Sequence, residues 1–293
     1  MKYLTVSEIA KKWGMSERTI RNYCATKKIS GAFLVGKTWN IPEIAEKPKR
    51  NKLTDNNLLN ILKEQKDMKL HGGIYNKIQI ELAYNSNHIE GSTLSHEQTS
   101  MIFETQTIGV NENSIKIDDI IEMQNHFKCV DFIIDYAKEP LTEEIIKTLH
   151  FYLKSGTSDS IKEWFNVGEY KKLPNEVGGM ETTSPKNVKQ EIQKLLNNYH
   201  NIENKKIEDI IEFHKNFESI HPFQDGNGRV GRLIMFKECL NYNIIPFIID
   251  ERHKLFYYRG LKEWNYDRRY LIDTCLDAQD KFREYLKYFE IKN

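Results

Sequence analysis

Two glycines set between a His-Pro-Phe and the start of an apolar helical stripe restrict what residues 221–241 can become. The stretch opens His221-Pro222-Phe223-Gln224-Asp225-Gly226-Asn227-Gly228-Arg229-Val230-Gly231-Arg232. Residues Asp225 to Gly228 must turn, and glycine there lets the backbone approach a ligand closely. Val230, Leu233, Ile234, Phe236 and Leu240 then keep helical spacing through about Asn241. The turn therefore delivers the unpaired N–H groups of a helix amino terminus, where an anion is favoured. Arg229 and Arg232 oppose the helix dipole there, so local helix stability does not account for them, whereas an anionic ligand does. Asp225 is a hard oxygen donor of the kind Mg2+ takes beside phosphates. His221 titrates near neutrality and can take a proton from a hydroxyl. A capping turn with surface salt bridges and a core histidine is the plainer alternative. It suits a lone Asp-Gly-Asn-Gly turn better than it suits this whole cluster.

The rest of the chain supplies a core for such a loop. Of 293 residues, 39% are hydrophobic and 29% charged, a globular balance sufficient for one large domain or a medium and a small one. Cys24, Cys129, Cys239 and Cys275 are scattered and form no C-x-x-C pair, which fits reduced thiols better than zinc or disulfides. No signal-like stretch or long apolar run occurs, so a cytoplasmic protein without a membrane anchor is expected.

Charge is uneven along the chain. The net charge is +1, but residues 1–50 carry eleven Lys and Arg against four Glu, a net +7. In that segment Ile9, Ala10 and Trp13 share a helical face, with Ser7 as the expected cap; Gly14 breaks the helix, and Ser16 caps a second one. Ile20, Tyr23 and Cys24 face inward on the second helix, while Arg18, Thr19, Arg21 and Asn22 stay outside. Residues 32–41 alternate around Gly36-Lys37 and read as a β-hairpin wing. With Trp39-Asn40-Ile41-Pro42 after the wing, the segment resembles the small winged helix-turn-helix domains of excisionase and MerR-type proteins. That resemblance implies DNA contacts through Arg18, Thr19, Arg21 and Asn22, within a DNA-binding domain over residues 1–46. A protein-interaction module with a basic solvated face is the alternative.

Residues 47–70 are expected to hold a polar linker and a first helix. Beyond them the chain reads as helix almost throughout, near 95–105, 117–138, 142–155, 186–201 and 206–220 and again after 227. From Gly168 to Pro185, three glycines and two prolines forbid helix, and the segment reads as an irregular hairpin or flap. Upstream, Ser86 and Glu90 fall at i and i+4, on one face of a helix spanning 75–91 and ending at Gly91.

The 221–232 stretch matches the Fic family motif, H-P-F-x-[D/E]-G-N-G-R-x-x-R, at every specified position. The resemblance implies a mainly α fold, a Fic-type helical bundle with a short β-hairpin flap over residues 71–293, joined to the small N-terminal winged helix-turn-helix domain. It implies a protein adenylyltransferase (AMPylator) that moves AMP from ATP to a Tyr, Ser or Thr hydroxyl of a target protein, with Mg2+ or Mn2+. His221 would be the base, Asp225 the metal ligand, and Gly226, Asn227 and Gly228 the anion hole. Arg229 and Arg232 would take the remaining phosphates beside Gly231, with Phe223 anchoring the loop. In the Doc-type kinase relatives a lysine stands where this chain has Gly228, so AMP transfer is favoured over phosphate transfer. Val177, Gly178, Gly179 and Met180 would cover the nucleotide, and a flap at about 174–184 would line up the target. Lys171 replaces the usual Arg there, and Thr182-Thr183-Ser184 the frequent prolines, which leaves target preference open. Tyr257, Tyr258 and Asn265 resemble adenosine-holding positions, with core aromatics and a surface Asn as the alternative.

Ser86-Asn87-His88-Ile89-Glu90-Gly91 is similar to the Fic inhibitory motif [S/T]-x-x-x-E-[G/N]. The resemblance implies that Glu90 pairs with Arg232 in the place of the γ-phosphate, holding ATP unproductively, and some such relatives also remove AMP. Two other readings stay open: a DNA-binding regulator with a nucleotide-sensing Fic domain, and transfer of UMP or phosphocholine. A homodimer is likewise left open.

Overall fold

The computed structural model describes residues 2–48, 57–109 and 114–291. The segment expected as linker falls largely outside those residues. Helix dominates, as the sequence reading requires, and the strands are confined to two small sheets.

The N-terminal module consists of β1 (Tyr3–Leu4), α1 (Val6–Trp13), α2 (Glu17–Ala25), β2 (Phe33–Val35) and β3 (Thr38–Pro42), with sheet order β1-β3-β2. Thr5, not Ser7, caps α1. Glu8 lies three residues after Thr5 and returns a bond to its amide, completing a capping box that Ser7 cannot form. Gly14 ends α1 in the left-handed region, and Ser16 caps α2 by accepting from the Thr19 amide. Val6, Ile9, Ala10, Ile20, Tyr23 and Ile41 form the buried centre of this unit.

After α3 (Asn57–Asp67), the body is built from α4 (Ile74–Ile89), α5 (His96–Thr105), α6 (Ile117–Asp135) and α7 (Glu143–Lys154). A two-stranded hairpin follows, β4 (Glu176–Val177) with β5 (Met180–Glu181), and then α8 (Pro185–His200), α9 (Ile207–Ile220), α10 (Asn227–Asn241), α11 (Glu251–Lys262) and α12 (Arg269–Tyr288). Helix α4 stops at Ile89, one residue earlier than its expected carboxylate, so Glu90 is the C-cap rather than a helical residue. Helix α10 is the hub. Val230, Leu233, Ile234, Met235, Phe236, Cys239 and Leu240 are all buried, and α4, α6, α7 and α9 surround it. This helix is buried on every side, its charged Arg229, Arg232, Lys237 and Glu238 included, which places its amino end inside the body. None of the described helices is long and apolar enough to cross a membrane.

Candidate active site

The loop between α9 and α10 is held by its own side chains. His221 caps α9 in the left-handed region (φ 51°), an unusual conformation for a residue with a Cβ. The Asn227 side chain accepts from the Phe223 amide at 2.8 Å and donates to the Phe223 carbonyl at 2.9 Å, closing the turn. Asn227 can therefore offer an anion only its backbone. Gly226 takes φ 82° as N-cap of α10. The Phe223 ring is fully buried and stacks on His150 with centroids 4.0 Å apart and planes 4° from parallel.

His221 is largely buried, and its Nδ1 faces the Glu218 carbonyl at 3.3 Å, which leaves Nε2 as the free nitrogen. Burial pushes its pKa down to about 4, with the Lys171 charge adding to the effect, while the Glu218 carbonyl, Glu90 and Asp225 oppose it. The imidazole is thus neutral at neutral pH and able to accept a proton. Beneath it lies a residue that the motif does not mark. Glu218, one helical turn earlier, is buried with its Oε2 3.9 Å from His221 Nδ1. Burial and the nearby Glu90 push its pKa up to about 8 despite Arg232. Its only sequence signal is the three-residue spacing from His221.

Arg229 and Arg232 do not wait for a ligand. For Arg232 the resemblance implied Glu90 as partner, and the two are paired; for Arg229 the sequence reading named no internal partner, because it saw only its own helix, and the fold brings Glu122 from α6 and Asp225 from the loop. Arg229, 4% exposed, pairs with Glu122 of α6, with Asp225 at 3.1 Å and with the Asn87 side chain. Lys154 at the end of α7 is 2% exposed and reaches Glu122 at 2.5 Å, Asp225 at 2.7 Å and Asp159 at 2.9 Å. Burial alone would raise the Asp225 carboxyl, but Arg229 and Lys154 outweigh it and hold it well below the usual range. Glu122 and Lys154 escaped sequence reasoning, since nothing local distinguishes them from surface charges.

A metal would find one hard oxygen here. Lys154 and Arg229 both engage Asp225 Oδ2, which leaves Oδ1 outside those two pairs on a half-exposed side chain. Among the described residues no three His, Cys, Asp or Glu gather as a metal cage. A single carboxylate suits Mg2+ or Mn2+ that keeps its waters and phosphate oxygens as the other ligands.

Arg232 is held by α4. Its Nε donates to Ser86 Oγ at 3.0 Å and its Nη2 to the Ser86 carbonyl at 3.0 Å and to Glu90 Oε1 at 2.7 Å. A Cβ on Gly228 would collide with that same Glu90 oxygen. Gly228 thus makes room for the carboxylate at the amino end of α10. A Cβ on Gly231 would strike the His214 ring and Glu218, so this glycine serves the packing of α10 on α9. Tyr257, expected at an adenosine pocket, is instead buried, with its hydroxyl 2.6 Å from His214 Nε2 and its ring 5.8 Å from the Arg232 guanidinium. The Tyr258 hydroxyl donates to the Ile89 carbonyl at 3.3 Å. Asn265 lies exposed in the turn after α11, away from any bond to these groups.

The hairpin β4–β5 pairs Val177 with Met180 around Gly178 and Gly179, both at positive φ. Val177 and Met180 are exposed and do not pack on other side chains of the core. Lys171 anchors the hairpin base. Its ammonium donates to Asn175 Oδ1 and Thr182 Oγ1, both at 2.6 Å, and its amide donates to the Pro222 carbonyl at 2.9 Å. Burial pushes its pKa down to about 8.

The four residues expected to face DNA are not collected on a free surface. Thr19 is buried, Asn22 donates to Asp277 of α12 at 3.1 Å, and Arg18 lies 4.2 Å over the Phe256 ring of α11. Arg21 alone points away, paired with Glu17 of its own helix. The helical spacing marks that face as polar but cannot reveal that another helix covers it.

Residues 140–239, which contain the 221–232 loop and the hairpin, match the model of the Fic/DOC family. The protein adenylyltransferase Fic of Drosophila melanogaster is 29% identical over 207 residues, covering 68% of this chain and 40% of its own length. The Drosophila virilis protein of the same name is 28% identical over the same length. The chain therefore spans about two fifths of these curated relatives, 40% in each case. A Fic domain-containing signaling protein from Bacteroides thetaiotaomicron shares the fold with a TM-score of 0.64 at 23% identity, covering 80% of this chain and 98% of that one. A C. elegans Fic-1 fragment does so with a TM-score of 0.60 at 19% identity, covering 80% and 73%. Loop sequence and helical fold point the same way: residues 140–239 are similar to the Fic/DOC family and sit in a larger helical body, in which the C-cap of α4, Glu90, supplies the carboxylate on Arg232.

Proposed function

We propose that the protein transfers AMP from ATP to a Tyr, Ser or Thr hydroxyl of another protein and is held in check by Glu90. The observation that carries this reading is the seat between Gly228 and Arg232. A helix amino terminus and a buried guanidinium define a place for an anion, and the chain's own carboxylate fills it. Moving Glu90 aside would leave that seat to a nucleotide phosphate.

The chemistry follows from the residues around it. His221 Nε2 takes the proton of the target hydroxyl as its oxygen bonds to the α-phosphorus, and the bond to pyrophosphate breaks. The first-turn amides of α10 and Arg232 stabilise the charge that moves to the leaving group. Asp225 would hold Mg2+ or Mn2+, which when bound would neutralise phosphate charge. Lys154 and Arg229 keep Asp225 ionised and fixed, and Lys171 ties the hairpin to the loop so that a target strand laid on its exposed edge would meet His221.

The test is labelling with ATP carrying a marked α- or γ-phosphate. Glu90→Gly should incorporate α-label at least about tenfold faster than wild type, since displacing a few kcal/mol of Arg–carboxylate pairing is worth that much. His221→Ala in the same background should lose about 10²–10⁴-fold. Incorporation of γ-label, or equal rates with and without Glu90, would defeat the proposal.

A further inference from the structure

Helix α12 carries Asp273, Asp277 and Asp280 at i, i+4 and i+7, a stripe of carboxylates along one face. The body meets it in part, with His253 Nε2 of α11 3.0 Å from Asp277 and Arg283 Nε 3.7 Å from Asp280. The N-terminal module covers the rest. The Ser16 amide, at the amino end of α2, donates to Asp273 Oδ2 at 3.0 Å. Asn22 donates to Asp277 at 3.1 Å, and Arg18 lies 3.7 Å from the same carboxylate. Lys28 pairs with Asp280 at 3.1 Å. The groups that the module brings to the stripe are thus a helix N-terminus, an amide, a guanidinium and an ammonium, the set with which a helix grips nucleic-acid phosphates and base edges.

The charged part of the joint is exposed. Arg18 and Lys28 remain substantially solvated, and exposed ion pairs contribute little and weaken with salt. Two clefts flank the contact. One of about 290 Å³ is lined by Arg18, Asn22, Phe256 and Asp280, and another of about 330 Å³ lies between Met15, Tyr23, Ile245 and Leu276. The apolar side of the joint, with Met15 and Tyr23, is buried.

We propose that the aspartate stripe of α12 and the phosphates of duplex DNA compete for the same face of α2, so that the module engages DNA only when it has left the Fic body. The stripe is an internal stand-in for the nucleic-acid backbone. The inference rests on the winged helix-turn-helix reading of the N-terminal module and not on AMP transfer, so α-label incorporation by Glu90→Gly stands or falls separately.

The full-length chain is tested by fluorescence anisotropy with a labelled mixed-sequence 30-base-pair duplex at low and moderate salt. The double variant Asp277→Asn, Asp280→Asn keeps the side-chain shapes and removes two charges, while Asp273, which is buried, is left alone. Glu144→Gln, Glu203→Gln removes the same charge at exposed sites away from α2 and serves as the control. The stripe variant should bind the duplex at least about tenfold more tightly than wild type, with a steeper salt dependence, as newly freed phosphate contacts require. The control should stay within about twofold, as a bulk charge change of this size predicts. Hydrogen exchange over 17–25 should rise in the stripe variant, and exchange over 273–280 should rise in wild type when duplex is added. Equal tightening in both variants would reduce the effect to net charge and overturn the proposal. Faster exchange in α2 with no gain in duplex affinity would overturn the competition. Unchanged exchange in α2 would show that the stripe does not hold the module.

Discussion

The protein pairs cations with carboxylates in two regions, and the two are built differently. Around the 221–232 loop, Arg229, Arg232 and Lys154 are at most 4% exposed, and each touches more than one partner. Along the α2–α12 seam, Arg18 is 54% and Lys28 38% exposed, and each meets a single carboxylate. The same chemical pairs therefore do different work. Buried, they lock geometry, because a charge deprived of its partner cannot turn to water. Exposed, they set an orientation that salt, solvent or a competing polyanion can undo.

The contrast is most sharply tested at Lys154. Lys154→Met removes the cation shared by Glu122, Asp159 and Asp225 while preserving the stem, so it should cost about 3 kcal/mol, the lower end for a broken buried pair because Asp225 is half solvated. Urea unfolding midpoints measure it, and a loss under about 1 kcal/mol would place this network with the surface pairs.

A smaller effect is expected in the pH profile. With His221 held near 4 by burial, its neutral form is present above that value and is lost as pH falls through it. In the Glu90→Gly variant, kcat/KM for AMP transfer should stay level from neutral pH to well below 6.5, the value of an unperturbed imidazole. A half-maximal rate at 6.5 or above would mean that the base is solvated in the working enzyme.

The smallest effect belongs to the exposed seam. Lys28→Ala should change stability by less than about 1 kcal/mol, with the difference vanishing in high salt. Melting curves at low and high ionic strength decide the matter, and a larger, salt-insensitive loss would erase the distinction between the regions.

The legible and illegible parts of the sequence divide along the same line. The 221–232 turn and the helix after it could be read because their glycines and apolar spacing are written in consecutive residues, and the α4 pattern because i, i+4 spacing is local. The α1 cap was legible too: Thr5 and Glu8 carry the capping-box spacing, and favouring Ser7 overlooked it. Glu122 and Lys154 were not legible, because a buried charge is identified only by partners that arrive from other helices. Thr19 and Asn22 read as outward-facing because one helix's periodicity separates its own two faces and is silent on α12, some 250 residues later in the chain (Ser16 and Asp273 are 257 apart). Tyr257 failed for the related reason that an aromatic in a pocket and one in a core have the same spacing.

The His150 imidazole joins three pieces of the site at once. Its Nδ1 accepts the Gly168 amide at 2.9 Å, its Nε2 meets the Asp225 carbonyl at 3.2 Å, and its face lies on Phe223. Since Nδ1 is an acceptor, the ring proton must sit on Nε2 and be given to Asp225. One tautomer therefore welds the root of the hairpin to the floor of the loop. Burial and the neighbouring Lys154 push the pKa of this ring down to about 3, so at neutral pH the ring stays uncharged and keeps that tautomer. Hairpin and loop are thereby fastened as one piece, and a shift in either is handed on to the other.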